Sequence, residues 1–226
     1  MSEGRGEGLH PQDRQAYIDR YESRLRQFGY APETLGWGKK GRQETRFAVL
    51  SAEIIQHPEA SVLDVGCGFA DLHEFLTQHG WRGRYTGIDI VPSLLDIAKQ
   101  RHPGVDLRCV DLGNFSADSA YDYVVASGVF NAKISAEDNL RYIRRSLVRM
   151  FKIARIAVCV DFLSTYVDFK DPIAWHTDPS WALTVAKELS KRVALRHDYM
   201  PFEFSLFVYR DQEISNRNVF AGFSLS

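Results

Sequence analysis

Apolar positions recur along this chain first at helical spacing and then in short continuous runs. Tyr17, Tyr21, Leu25 and Phe28 lie on one helical face and predict a helix over residues 12–28, which Gly29 is suited to end. Residues 30–41 hold Pro32, Trp37 and three glycines and read as a loop. A second helix is expected over 42–56, with Phe47, Leu50, Ile54 and Ile55 on one side. Apolar runs then predict strands over 61–65, 84–89, 105–110, 121–126 and 155–161. Helical patterns separate them over 70–79, 92–101 and 137–151. Such alternation requires a mostly parallel sheet with helices on both faces. The end departs from it. After a helix over 180–190, strands over 193–200 and 203–210 are joined by only Pro201 and Phe202. So short a link cannot cross over between parallel strands, so the pair must be an antiparallel hairpin. The expected fold class is therefore α/β: a seven-stranded, mostly parallel sheet with its last strand antiparallel. A helical segment over 1–57 precedes a core over 58–212, and a tail follows over 213–226.

Composition narrows the partners. A chain of 226 residues, 45% hydrophobic and 25% charged, suits one globular α/β domain. The net charge of −1 argues against a nucleic-acid backbone as the main partner. The basic run over 141–155 interleaves its arginines with Tyr142, Ile143, Leu147, Val148 and Met150, as a helix with a solvated outer face does. Cys67, Cys109 and Cys159 match no metal-ligand spacing and each sits in or beside an apolar strand, so reduced core thiols are expected. No metal site is implied. Residues 1–10 are glycine-rich and charged and are expected to be disordered. They offer no apolar signal region, and no segment approaches the roughly 20 apolar residues of a membrane span, so a cytoplasmic protein is expected.

The strand ends carry the chemistry. The run Val62-Leu63-Asp64-Val65-Gly66-Cys67-Gly68-Phe69-Ala70-Asp71-Leu72 places two glycines directly after a strand. It is followed in order by Gly87-Ile88-Asp89-Ile90, by Val110-Asp111-Leu112 and by the run from Tyr121 to Ser127. Ligands of parallel sheets bind outside the carboxyl ends of the strands, and a glycine there lets the backbone turn tightly and approach a ligand. The third glycine of a dinucleotide fingerprint is missing, since position 71 is Asp71, so no pyrophosphate is expected. These four segments resemble the motifs of class I S-adenosylmethionine (SAM)-dependent methyltransferases, over roughly residues 60–160, with the hairpin extending the likeness to about residue 210.

The resemblance implies a methyltransferase with SAM as cofactor and S-adenosylhomocysteine (SAH) as product. Gly66, Cys67 and Gly68 would form the cofactor loop. Asp89, with Ile90, would take the ribose hydroxyls, the alternative being a helix cap before Pro92. Asp111 would accept from the adenine amino group beside the Leu112 amide, the alternative being a turn residue. The Ser127 backbone would face the sulfonium, and Asp64 would orient the glycine loop or meet the methionine amino group through water. Asp71 and His73, in the first turn of a helix, read as structural.

Substrate choice is expected in the added segments. Residues 30–46 are read as a cofactor-ordered lid, in which Arg46 clamps the methionine carboxylate and Trp37 closes over the site; a surface arginine and a core tryptophan are the plainer readings. Asn131 binds substrate or caps a turn. The loop over 162–179 is long for a compact domain, as functional loops are. Its Tyr166, Phe169 and Trp175 are candidates to line an apolar pocket. His176 is the candidate general base, since an imidazole titrates near neutral pH, or else an incidental loop residue. His197 and Tyr199 alternate with Asp198 and are expected on one strand face, as minor candidates for substrate contact. The segment after the fourth strand, Ser127-Gly128-Val129-Phe130-Asn131, lacks the Asn-Pro-Pro-Tyr type of signature used on planar amides and bases. A small-molecule acceptor is therefore expected, with no nucleic acid and no membrane. An RNA or protein acceptor, or a SAM-binding partner that has lost catalysis, are the rivals.

Overall fold

A computed structural model of the chain describes residues 8–36, 42–117 and 120–211. Two helices come first, α1 (Pro11–Phe28) and α2 (Arg42–Ser51), the latter followed by a 3₁₀ turn at Ile54–Gln56. Then come β1 (Val62–Val65), α3 (Asp71–Gln78), β2 (Tyr85–Asp89), α4 (Pro92–Arg101), β3 (Asp106–Cys109) and β4 (Tyr121–Ala126). The remainder is α5 (Asn139–Ile153), β5 (Ala154–Leu163), α6 (Pro179–Leu189), β6 (Val193–Met200) and β7 (Glu203–Tyr209).

The sheet runs β3-β2-β1-β4-β5-β7-β6. Strands β1 to β5 are parallel, while β7 pairs antiparallel with both β5 and β6, as the short Pro201-Phe202 link requires. Order reverses between β1 and β4, which opens a crevice at their carboxyl ends. β5 runs two residues past the expected Asp161, because β7 pairs with it as far as Leu163. The helix expected over 42–56 breaks after Ser51, and Pro58 bars further helix at His57.

Side chains of alternate parity feed two cores. Leu63, Val124, Val158 and Phe162 pack beneath α5 and α6, where Ile143, Leu147 and Met150 recur at i, i+4 and i+7. Burying each of these contributes about 1.5–3 kcal/mol. Asp138 caps α5 by accepting from the Arg141 amide (2.9 Å), and Asp178 caps α6 ahead of Pro179. On the opposite face Val62, Tyr123, Val125 and Cys159 pack against Leu50 of α2, Leu72 of α3 and Leu95 of α4.

Two expectations are corrected. Cys67 and Cys159 are core thiols, but Cys109 is exposed, because it ends an edge strand with no layer over its outer side. His197 and Tyr199 do not share a face: His197 stacks on Phe204 and Tyr199 joins the core on the other side. The β6–β7 register shifts between Arg196 and Met200, and a bulge there flips the alternation. Among the described residues no helix is long and apolar enough to cross a membrane.

Candidate active site at the carboxyl ends of the strands

Asp64, Asp89, Asp111 and Asp161 lie at the carboxyl ends of β1, β2, β3 and β5, and all four are buried. The crevice between them begins at the glycine loop. Gly66 and Gly68 both have positive φ (70° and 54°), so an L side chain at either would be strained. A Cβ on Gly66 would meet Val129 at 2.6 Å, and one on Gly68 would meet Leu35 at 3.1 Å. Ala70 is also left-handed (φ 60°) just before α3, a conformation that costs a non-glycine residue about 1–2 kcal/mol. The loop is tied to β2: the amides of Gly66 and Cys67 both donate to the Ile88 carbonyl (2.8 and 3.1 Å).

Asp89 accepts from the Gly68 amide with one oxygen and from the Val91 amide with the other, both at 2.9 Å. Burial raises its pKa, and these amides oppose the shift. Each carboxylate oxygen accepts two hydrogen bonds, so acceptor capacity is left toward the cavity that Asp89 lines. Asp111 accepts from the Gly113 amide (2.7 Å) and from the Leu9 amide (3.1 Å). Gly8 to His10, expected to be disordered, thus form a strap over this end, and Arg145 binds the Gly8 carbonyl. Asp64 accepts from the Tyr85 hydroxyl (2.5 Å), and burial pushes its pKa up to about 7.

The cavity is lined by Gly66, Gly68, Asp89, Ile90, Asp111, Leu112 and Ser127 of the expected cofactor set, and by Gly128 and Val129. Tyr17 and Tyr21 of α1, with Leu9, Leu35 and Tyr142, complete the wall. The tyrosines were legible as a helical face but not as a roof. Burial holds their phenols, and that of Tyr142, neutral by raising the pKa. The cavity holds about 100 Å³, against the roughly 300–1,000 Å³ of ligand pockets, while a groove outside the strap holds about 830 Å³. The smaller space is the one the strand ends converge on, and the strap and α1 cover it. Two glycines barred to side chains, buried acceptors and an apolar roof fit a nucleoside with a cationic arm.

Other expected residues lie elsewhere. The Cys67 side chain turns into the core beneath the loop, where burial raises its pKa. Arg46 is buried and its guanidinium engages both oxygens of Glu203 on β7, so a protein carboxylate takes the fork meant for the ligand's. Asn131 accepts from the Leu163 amide (2.9 Å) and bridges two loops. His176 approaches the Ser164 carbonyl with Nδ1 (3.0 Å), and its buried Nε2 has no hydrogen-bond partner among the described residues. Trp175 is half-buried against the α5–α6 core, whereas Tyr166 and Phe169 are exposed. None of these seven lines the cavity, nor does Asp64. Trp37 lies outside the described residues. Asp71 pairs with Arg101 (2.8 Å) and accepts from the Tyr30 hydroxyl (3.0 Å).

One residue escaped the sequence reading. Asp161 accepts from the Ser127 hydroxyl (2.6 Å) and the Gly128 amide (2.7 Å). Its signal was there: an acidic residue closing an apolar strand, as Asp89 does.

Residues 62–152 match the family described as Methyltransferase domain. A Mycobacterium tuberculosis protein provisionally named a methyltransferase, Rv1506c, is 32% identical over 157 residues, covering 66% of this chain and 92% of that one. The fold is shared with magnesium protoporphyrin IX methyltransferase from Synechocystis PCC 6803 with bound SAH (TM-score 0.65, 15% identity, 88% of this chain and 100% of that one). It is shared too with the Burkholderia thailandensis 1,6-didemethyltoxoflavin-N1-methyltransferase bound to its acceptor and SAH (TM-score 0.61, 13% identity, 87% and 86%). Ordered motifs, strand order and relatives agree: the chain belongs to the class I SAM-dependent methyltransferases.

Proposed function

We propose that this enzyme methylates a small organic acceptor. One observation carries the reading: α1 closes over the cofactor cavity with Tyr17 and Tyr21, so the methyl group lies in a covered cleft that a small molecule reaches far more readily than a base in a polynucleotide or a side chain on a folded protein. The basic helix α5 gives the macromolecular reading little support. Arg144 and Arg145 pair with Glu188 and Glu137, and Arg149 binds the Phe115 carbonyl.

In this reading Asp89 takes the ribose hydroxyls, Asp111 and the Leu112 amide take the adenine edge, and Ile90 packs beside them. Gly66 and Gly68 permit close approach, Asp64 faces the amino group of the methionine arm, and Ser127 and Gly128 face the sulfonium. The sulfonium charge activates the methyl group, so the cofactor supplies the electrophile. The chain's own residues then supply position and exclude water from an in-line attack. The acceptor enters beside the loop over 164–178, whose exposed Tyr166, Phe169 and Ile173 favour an apolar or aromatic molecule. The described parts of the segment over 1–57, residues 8–36 and 42–57, serve as the lid on the described part of a core over 58–212. The tail over 213–226 lies outside the described residues, apart from the same expectation of a separate segment.

The test is transfer of a radiolabelled methyl group from SAM into three separate pools: cell metabolites passed through a low-mass filter, total RNA and total protein. Label in the low-mass pool is expected. Label confined to RNA or protein refutes the small-molecule reading, and SAM binding without label in any pool refutes the catalytic one.

A further inference from the structure

Behind the Ser127–Gly128 wall stands a charge that the reaction itself does not require. Asp161 is 1% exposed, yet it is one hydrogen bond from the cavity, since the Ser127 hydroxyl and Gly128 amide that it accepts from both belong to the lining. Three groups face it from three other elements: Arg46 of α2, Glu203 of β7 and Tyr199 of β6. Arg46 and Glu203 engage each other and cancel. The Tyr199 phenol is neutral, because burial raises its pKa. Among the described residues the cluster therefore carries a net charge of about one negative unit when Asp161 is ionised. Burial pushes Asp161 up to about 6, opposed by Arg46 and by its two donors, so it is ionised at pH 8. A carboxylate held out of water keeps its field, whereas one at the surface is screened.

We infer that Asp161 is a specificity-determining residue for the cofactor, favouring the cationic sulfonium of SAM over the neutral thioether of SAH. This rests on the proposed placement of the sulfonium at Ser127–Gly128. SAM and SAH share the adenosine, the ammonium and the carboxylate. They differ by one methyl group and one positive charge, so a contact made to the shared parts cannot discriminate between them. A fixed negative charge behind the sulfonium can. Its consequence is ejection of product: once the methyl group has left, the sulfur is neutral and the attraction from Asp161 is gone.

The experiment compares calorimetric dissociation constants for SAM and SAH at pH 8 in the wild type, Asp161→Asn and Glu203→Gln. Asparagine is close in shape, can accept from the Gly128 amide and can donate to the Ser127 oxygen, so the wall is kept while the charge is lost. In Asp161→Asn the SAM-to-SAH affinity ratio should fall at least tenfold, the effect that one charge has out to about 12 Å at an effective dielectric of about 20. SAH affinity, nearly unchanged, serves as the internal control for folding. Glu203→Gln removes the same unit of charge from another strand and should lower the ratio as well. In the wild type the ratio should fall as pH drops from 8 through about 6, where Asp161 takes up its proton, a measurement that needs no variant to fold. Equal loss of both ligands in the charge variants overturns the inference but leaves the cofactor placement standing. A wild-type ratio that stays constant between pH 8 and pH 5 also overturns it. A wild type that binds neither ligand overturns the placement itself.

Discussion

Asp89 and Asp161 occupy matching places, each a carboxylate at the carboxyl end of a parallel strand, but they are held in opposite ways. Asp89 is held by backbone: the Gly68 amide of the neighbouring loop and the Val91 amide two residues on. Asp161 sits among side chains and loops drawn from α2, the segment after β4, β6 and β7. The β1–β3 side of the cleft is thus made by short motifs whose geometry is local. The β4–β5 side is made by contacts between distant parts of the chain, with the Arg46–Glu203 pair at its centre. A backbone-built half tolerates change around it, whereas a half built from buried charges depends on each partner.

The largest effect expected from this contrast is on stability. Arg46→Met leaves Glu203 buried without its counter-charge and should cost about 3–5 kcal/mol in denaturant unfolding. The double variant Arg46→Met with Glu203→Leu should recover most of that loss, since two apolar side chains replace the pair without a stranded charge. An Arg46→Met protein as stable as the wild type would mean that the β4–β5 side is not braced by this pair.

Asp64 brings the contrast to the backbone-built side through pH. Its carboxyl titrates near the ordinary value of 3.8 when unfolded and is pushed to about 7 by burial when folded. The folded state therefore binds this proton more tightly. The stability it contributes is present in full below about pH 4, falls as pH rises and is lost above about pH 7. Asp64→Asn removes that dependence. The variant should match the wild type near pH 4 and exceed it at pH 8 by on the order of a few kcal/mol. Unfolding curves at several pH values check this, and a constant difference between pH 4 and pH 8 would show that Asp64 does not titrate in the fold.

Cofactor affinity comes next. Asp89→Ala should weaken SAM binding by about ten- to a hundredfold, from the roughly 1.5–3 kcal/mol of a hydrogen bond to a charged group. Calorimetry reads it directly, and an unchanged dissociation constant would remove Asp89 from the ribose site.

The same contrast explains what was legible in the sequence. Gly66, Gly68, Asp89, Asp111, Leu112 and Ser127 all line one cavity, and that grouping was legible because each lies at or just past the end of a strand whose apolar run announces it. The antiparallel finish was legible because a link as short as Pro201-Phe202 permits nothing else. The partner of Arg46 was not legible, since Glu203 stands 157 positions away and no local pattern joins them. Nor was the His197–Tyr199 bulge, because period-two alternation assumes a regular ladder. Tyr17 and Tyr21 gave a true helical face, but spacing cannot say whether a face meets the core or a ligand.

The smallest effect concerns the roof. Asp13 of α1 is 2% exposed, and its carboxylate accepts from the Ser135 amide (2.7 Å), the Ser135 hydroxyl (3.0 Å) and the Ala136 amide (3.0 Å). It is the latch that fixes α1, with Tyr17 and Tyr21, over the cleft. The cavity beneath is about 100 Å³, below the roughly 300 Å³ at which ligand pockets begin, so entry requires the latch to yield. Asp13→Ala removes the acceptor without touching the strand ends. Amides over 11–28 should then exchange hydrogen faster in the free protein, and SAM should associate faster. Affinity should fall only severalfold, because the buried carboxylate acceptors lie on the strand ends and not on the roof. Addition of SAM should restore part of the lost protection. Exchange over 11–28 that is the same in Asp13→Ala and wild type would show that the helix is held by its packing on α4 rather than by the latch.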